Sequence, residues 1–158
     1  APTPPRVASC TPVNSAMSSL CLPQKHEAPP VPASSVHPAA LVGLGGALGS
    51  VARWGVSVAL PASNDAEVPW ATVTVNLLGA LLLGALMAAT STSSMHNDMT
   101  LFFGTGLLGG FTTMSAFGFE TVRLLQADST SAAAIYASLN LLAPLMAWLG
   151  WSLTQAAT

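Results

Sequence analysis

Gly109-Gly110-Phe111-Thr112-Thr113-Met114-Ser115-Ala116-Phe117 lies in the middle of an apolar stretch running from Leu101 to about Ala127, and its reading decides the fold. Paired glycines followed by a Thr/Ser cluster do not make a clean helix interior, since each Gly costs roughly 1 kcal/mol against Ala there. In hydrocarbon, backbone that leaves a helix has to find other partners. Such interruptions survive where they line a cavity or bind an ion. The stretch reads as a membrane helix broken at its centre and built around an ion.

The composition agrees. Only 6% of residues are charged and 51% are hydrophobic, with a mean hydropathy of +0.59. A soluble domain carries about 25% charged residues, so this chain has too few charges to cover a soluble surface. The formal net charge of -2 and the lack of any Lys/Arg cluster exclude nucleic acid as a partner, because nothing would neutralise phosphates.

Residues 1–37 are a different material. Nine of the 12 prolines fall at or before Pro38, mixed with Ser, Ala and Thr and without apolar periodicity. That composition predicts a disordered or polyproline-like tail. The tail has no basic start followed by an apolar core and cleavage site, so no signal peptide is expected. Cys10 and Cys21 have no Cys or His at metal spacing, His26 and His37 included. They read as unpaired thiols and leave the redox compartment open.

From residue 38 to 158 the chain reads as one transmembrane domain with apolar segments over about 38–60, 70–89, 101–127 and 131–153. Each is near the ~20 residues that cross a bilayer core. The connectors are short: Pro61-Ala62-Ser63-Asn64-Asp65, Thr90-Ser91-Thr92-Ser93-Ser94 and Asp128-Ser129-Thr130. Trp70, Trp148 and Trp151 sit toward segment ends, where aromatic belts form. The fold expected is an all-α membrane protein of four transmembrane helices, the third broken at its centre.

Small residues indicate how the helices pack. Gly45 and Gly49 form a GxxxG pair in the first segment, and Ala80 and Gly84 repeat the spacing in the second. Four short helices enclose little interior, so a water-accessible path needs more than one chain. Arg6 and Lys25 lie on the N-terminal side of the first span, and Arg53 and Arg123 lie near the loops on the other. Orientation follows Lys/Arg excess, and here there is none. That balance predicts insertion in both orientations and an antiparallel pair.

Polar side chains within the spans are few. Val75-Asn76-Leu77-Leu78-Gly79 and Leu139-Asn140-Leu141-Leu142-Ala143 are near-copies of one pattern. A buried amide costs several kcal/mol unless paired, so each Asn is either interhelical glue or a donor lining a passage. Two copies around a Thr/Ser break favour the lining. Neutral amide and hydroxyl donors replace water around an anion without trapping it, and the edge of Phe117 adds an electropositive contact. Arg53 and Glu120 are charges toward the ends of spans, Arg53 placed to snorkel. With no carboxylate at mid-membrane, a proton-coupled pump is disfavoured.

One motif misleads. Gly104-Thr105-Gly106-Leu107-Leu108-Gly109 spells G-x-G-x-x-G, with Asp128 about twenty residues on. A dinucleotide site needs that pattern between a strand and a helix, and here it opens a membrane span. No Ser/His/Asp set or carboxylate pair appears, and His96 is isolated. An enzyme is not expected.

Three motifs then carry a family resemblance. They are Gly45-Gly46-Ala47-Leu48-Gly49-Ser50-Val51-Ala52-Arg53-Trp54, Thr74-Val75-Asn76-Leu77-Leu78-Gly79, and Gly109 to Phe117 extended by Gly118-Phe119-Glu120. In this order and spacing the chain, over about Leu41 to Leu153, resembles the small four-span bacterial fluoride channels called CrcB or Fluc proteins. Tyr136 and Asn140 look like the polar positions of that family's fourth helix.

The resemblance implies an antiparallel, dual-topology dimer in the cell membrane with two narrow fluoride pores. It also implies a structural sodium ion at the dimer centre, held by the backbone carbonyls of Gly109 and Thr112. Asn76, Met114, Ser115, Phe117, Tyr136 and Asn140 would line the fluoride track, with Arg53 and Glu120 at its mouths. The implied function is export of fluoride down its electrochemical gradient, which reduces its toxicity. Met114 stands where the family usually has Phe, Ala116 replaces a more usual Thr, and Pro144 takes a position that often bears a hydroxyl. A homodimer and a pair of unlike subunits both stay open. Two alternatives remain at this point. One is a four-span multidrug transporter, which wants a carboxylate in the first span, where Pro38 to Leu60 has none. The other is a non-conducting partner subunit.

Overall fold

Helix α1 spans Pro38–Ala59 and opens with proline at its first position, where a missing N–H costs nothing. His37 caps it, Nδ1 accepting from Ala39 N at 3.2 Å. The computed structural model describes residues 37–92 and 97–157. Outside the described residues lie the expected tail before His37, with Cys10, Cys21, Arg6, Lys25 and His26, and the connector residues Ser93 to His96. Helix α2 spans Trp70–Thr92, running past the expected end at 89.

Beyond the second connector the chain changes character. A short turn of helix, α3 (Asn97–Met99), leads into a π-helical run over Thr100–Leu108 and then α4 (Gly109–Phe111). Thr112 and Thr113 are extended, and α5 starts at Met114 and ends at Gln126. Helices α6 (Thr130–Asn140) and α7 (Ala143–Ala157) follow, separated by a turn at Leu141 and Leu142. Among the described residues there is no strand. By length and apolarity, α1, α2 and the α6–α7 pair can each cross a membrane. At 22 residues α1 is about 33 Å long, enough for a ~30 Å hydrocarbon core.

Three differences from the sequence expectations have physical causes. Gly109 and Gly110 are helical, and the interruption comes later, at Thr112–Thr113. The cost of Gly110 is offset by close approach: a β-carbon there would lie 2.5 Å from Gly46 O and 3.0 Å from Gly46 Cα. The π-helical run was not expected. Gly109 N–H donates across it to Gly104 O and Gly106 O, and a β-carbon at Gly106 would meet Gly45 Cα at 3.0 Å. In the segment expected over 131–153, the turn at Leu141–Leu142 traces to Pro144. Proline returns no N–H to Asn140 O, and its ring crowds that carbonyl.

Helix α1 therefore packs backbone to backbone on the π-helical run and α4, while α2 packs on α7, where Gly84 meets Ala147 O and Gly150 meets Leu81 O. Val73, Leu124, Ala133 and Tyr136 form a buried cluster between α2, α5 and α6. The α5–α6 corner is a Schellman turn: Asp128 takes the left-handed conformation at φ 55, and Ser129 N–H donates to Leu124 O at 3.0 Å. Ser129 Oγ reaches Ala66 O at 3.2 Å and Arg123 pairs with Asp65 at 3.5 Å, tying that corner to the α1–α2 loop. Leu44, Val51, Trp54, Leu82, Leu145 and Trp148 point outward uncovered. A surface this apolar suits lipid or another protein chain.

Candidate functional site

Thr112 N–H still returns to Leu108 O at 3.1 Å, and the chain leaves the helix at Thr113, whose backbone groups have found other partners. Asn76, in the second turn of α2, clamps the Thr113 peptide groups. Its Oδ1 accepts from Thr113 N at 2.8 Å, and its Nδ2 donates to Thr113 O at 3.1 Å. Thr113 also caps α5, Oγ1 accepting from Ala116 N at 3.2 Å, a role for which Thr is well suited. A second hydroxyl, Ser115 Oγ, lies 3.3 Å from Thr113 Oγ1.

These partners change which carbonyls are engaged. In an unbroken helix Thr113 N–H would return to Gly109 O, and Ala116 N–H to Thr112 O. Here the first goes to Asn76 and the second to the Thr113 hydroxyl. Gly109 O and Thr112 O are thereby relieved of their helical donors. Neutral carbonyl oxygens with no carboxylate among them are a donor set that fits a hard monovalent cation.

Asn76 extends the network to α6. Its Nδ2 also donates to Asn140 Oδ1 at 2.8 Å, and Asn140 Nδ2 donates to Tyr136 O at 3.0 Å. Tyr136 is fully buried, and its hydroxyl donates to Glu120 Oε2 at 2.5 Å. Phe117 packs against the Tyr136 ring, centroids 5.3 Å apart and planes at 45°.

Beside this network lies a cavity of about 300 Å³, bordered by Asn76, Thr112, Thr113, Met114, Phe117 and Asn140 with small or apolar residues between them. Its wall is neutral: amides, hydroxyls, an aromatic ring and a thioether. Met114 is 77% exposed, so the cavity is open at that side. Of the residues expected on an ion track, the structure thus gathers Asn76, Met114, Phe117 and Asn140 around one cavity. Ser115 and Tyr136 are one hydrogen bond away from its walls. Glu120 accepts from the Tyr136 hydroxyl. Arg53 is half-buried on α1, its carbonyl accepting from Ser57 Oγ at 3.2 Å, and does not border the cavity. Among the described residues no group of His, Cys, Asp and Glu is arranged to hold a metal.

Thr113 and Pro144 are the residues whose weight sequence reasoning missed. Thr113 was visible as a hydroxyl three residues before Ala116, the spacing of a helix cap. Pro144 was visible as a helix breaker.

Residues 40–151 match the family model described as "CrcB-like protein, Camphor Resistance (CrcB)". Individual relatives agree. The chain is 41% identical over 117 residues to a Thermus thermophilus protein named fluoride-specific ion channel FluC, covering 73% of this chain and 92% of that one. It is 42% identical over 118 residues to a Methylobacillus flagellatus protein of the same name, with the same two coverages. With fluoride-specific ion channel FluC 1 of Halobacterium salinarum it shares 44% identity over 116 residues, 71% of this chain and 92% of that one. Since the family model runs through the interruption at Thr112–Thr113 and both amides of the cavity, and relatives above 40% identity match over more than nine-tenths of their own length, the chain belongs to the CrcB family.

Proposed function

We infer that the chain forms a fluoride-selective ion channel that lets fluoride leave the cell. The observation that carries this reading is the match, over more than nine-tenths of their length, to relatives named fluoride-specific ion channels. The neutral, donor-lined cavity supports it. Fluoride is small and strongly hydrated, and amide and hydroxyl hydrogens can replace its water without the trapping a Lys or Arg ring would cause. Undissociated HF crosses lipid and dissociates inside. A negative interior then favours exit of the anion by about 2.3 kcal/mol per 100 mV.

In this reading the interrupted run from Asn97 to Gln126 crosses the cell membrane as a third, broken span beside α1, α2 and α6–α7. The balanced Lys/Arg distribution supports an antiparallel, dual-topology dimer, and the outward apolar faces would be covered by lipid and the second copy. Gly109 O and Thr112 O would hold a structural sodium ion. Two oxygens leave such an ion undercoordinated, so a second subunit would supply its own pair. Asn76, Met114, Ser115, Phe117, Tyr136 and Asn140 would line or support the fluoride path, with Arg53 and Glu120 toward its ends. The multidrug-transporter alternative has neither a carboxylate in α1 nor support from the relatives' names.

The test is fluoride-electrode efflux from liposomes holding this chain alone. Rapid fluoride release, with chloride retained, is expected. No release from correctly inserted protein would remove the homodimeric channel, and recovery on adding a sister subunit would replace it with a pair of unlike chains.

A further inference from the structure

Asn76 is not the only residue of α2 that meets the interruption. Gly79 lies three residues on, on the same face of the helix, and is buried. A β-carbon built on Gly79 would overlap the Thr112 methyl, Cγ2. Its next neighbours, Phe111 Cδ1 at 3.4 Å and Thr112 Cβ at 3.8 Å, lie at ordinary contact distance. The missing side chain thus leaves a notch on α2 the size of one methyl group, and the Thr112 methyl occupies it. Of the near-copies Val75 to Gly79 and Leu139 to Ala143, only the first ends in glycine.

The other branch of the Thr112 side chain is fixed as well. Oγ1 donates to Leu108 O at 3.2 Å, the oxygen that also accepts from Thr112 N at 3.1 Å. A β-branched side chain is stiff at χ1, and here one rotamer has to place the hydroxyl on Leu108 O and the methyl in the notch. The backbone turns extended at this same residue, with ψ 158, and carries Thr112 O out of the helical direction. The next residue, Thr113, is held by the Asn76 hydrogen bonds. Helix α2 therefore grips the Thr112–Thr113 peptide from both sides, by shape at Gly79 and by hydrogen bonding at Asn76, and Thr112 O belongs to that peptide.

We propose that Gly79 is a positioning residue for the cation: its notch seats the Thr112 methyl and so sets the direction of Thr112 O. This rests on the reading of Gly109 O and Thr112 O as sodium ligands. Carbonyl oxygens serve a hard cation while they converge on one point, and a binding constellation tolerates displacements of only about 0.5 Å. With alanine at position 79, Thr112 either rotates and takes Oγ1 off Leu108 O, or moves its backbone. Either way Thr112 O loses its fixed direction.

The experiment follows the unfolding temperature of the full-length protein in detergent as sodium chloride replaces N-methyl-D-glucamine chloride at constant ionic strength. An ion that binds only the folded protein raises that temperature once its concentration exceeds its dissociation constant. The onset of the rise therefore reports affinity without any transport. In G79A the onset should move to at least tenfold higher sodium than in wild type, and a wild-type onset overturns the proposal. T112S keeps the hydroxyl on Leu108 O, removes the methyl and leaves room for a β-carbon at position 79, so its onset should move by about threefold at most. The double variant G79A/T112S is then expected to return to the T112S onset. A double variant that remains tenfold or more weaker than T112S refutes the notch. If G79A alone does not assemble, T112S has to restore both assembly and the sodium onset, and failure of the double variant to do so overturns the proposal. A wild-type protein that shows no rise removes the sodium site and the proposal with it, while fluoride release from liposomes still decides the channel reading by itself.

Discussion

Helix gives way twice beside the cavity, at Thr112–Thr113 and at Leu141–Leu142, and the two interruptions are held open by different means. At the first, nothing in the covalent structure forbids helix. Thr112 and Thr113 are extended because a side chain from another helix takes both polar groups of Thr113, and because the Thr113 hydroxyl caps α5. At the second, no outside partner is required, since Pro144 lacks the N–H that would return to Asn140 O. Leu142 N–H falls back on Leu139 O at 3.1 Å, a tighter turn, and Met146 N–H resumes the helix on Leu142 O at 3.0 Å. One break is tertiary and one is local. The tertiary break is the place where a distant substitution can change the backbone that borders the cavity.

The largest effect is therefore expected from Asn76→Leu. It leaves the N–H and C=O of Thr113 without partners in apolar surroundings, each costing about 1–3 kcal/mol, and releases Asn140 from its orientation. Fluoride efflux should fall on the order of a hundredfold or more if these losses fall on the barrier, with cross-linking still reporting assembly. A wild-type rate would mean that the first break, like the second, holds itself open.

An intermediate effect is expected from Thr113→Val, which keeps the β-branched shape and the peptide clamp but removes the cap on Ala116 N. Loss of an N-cap costs about 1 kcal/mol, or about fivefold in rate if fully expressed in the barrier. Thr113→Ser should stay near wild type. Hydrogen exchange at the Ala116 amide provides the structural readout, faster in the valine variant and unchanged in the serine variant. Equal behaviour of the two would show that the hydroxyl contributes nothing to the interruption.

The contrast also explains what could be read from the chain beforehand. Helical content, the apolar segments and the presence of an interruption near Gly109 to Phe117 follow from hydropathy and from glycine beside hydroxyl residues. Its position does not. Glycine marks where helix is weak, and Gly110 is kept helical by the contact with Gly46 that only glycine permits. The π-helical run over Thr100–Leu108 depends on that same contact surface and has no periodic signature of its own. Asn76 and Asn140 were recognisable as unusual amides, yet glue and lining looked like alternatives. In the structure they are joined to each other and also border the cavity, an arrangement neither pattern alone indicates. Likewise Glu120, a charge toward the end of a span in sequence, is engaged by Tyr136 from another helix. Pairings between helices are set by packing, which pattern along one chain does not encode.

The smallest effect is expected from Pro144→Ala, which tests the second break as local. Alanine restores an N–H that can return to Asn140 O, and it removes the ring that crowds that carbonyl. Proline in a helix interior costs about 3 kcal/mol against alanine, but the present turn already avoids most of that conflict. The gain is nearer one net hydrogen bond, about 1 kcal/mol. Helices α6 and α7 should then join through Leu141 and Leu142, and the protein should unfold at a temperature a few degrees higher in detergent. Asn140 lies at the end of α6, with its side chain held by Asn76 and its own nitrogen on Tyr136 O. Those bonds are independent of Pro144, so the amide should keep its place and efflux should stay within about threefold of wild type, a change of no more than ~0.65 kcal/mol in the barrier. A hundredfold loss would place the second break on the ion path with the first. An unchanged unfolding temperature would show that some partner other than proline holds the turn open.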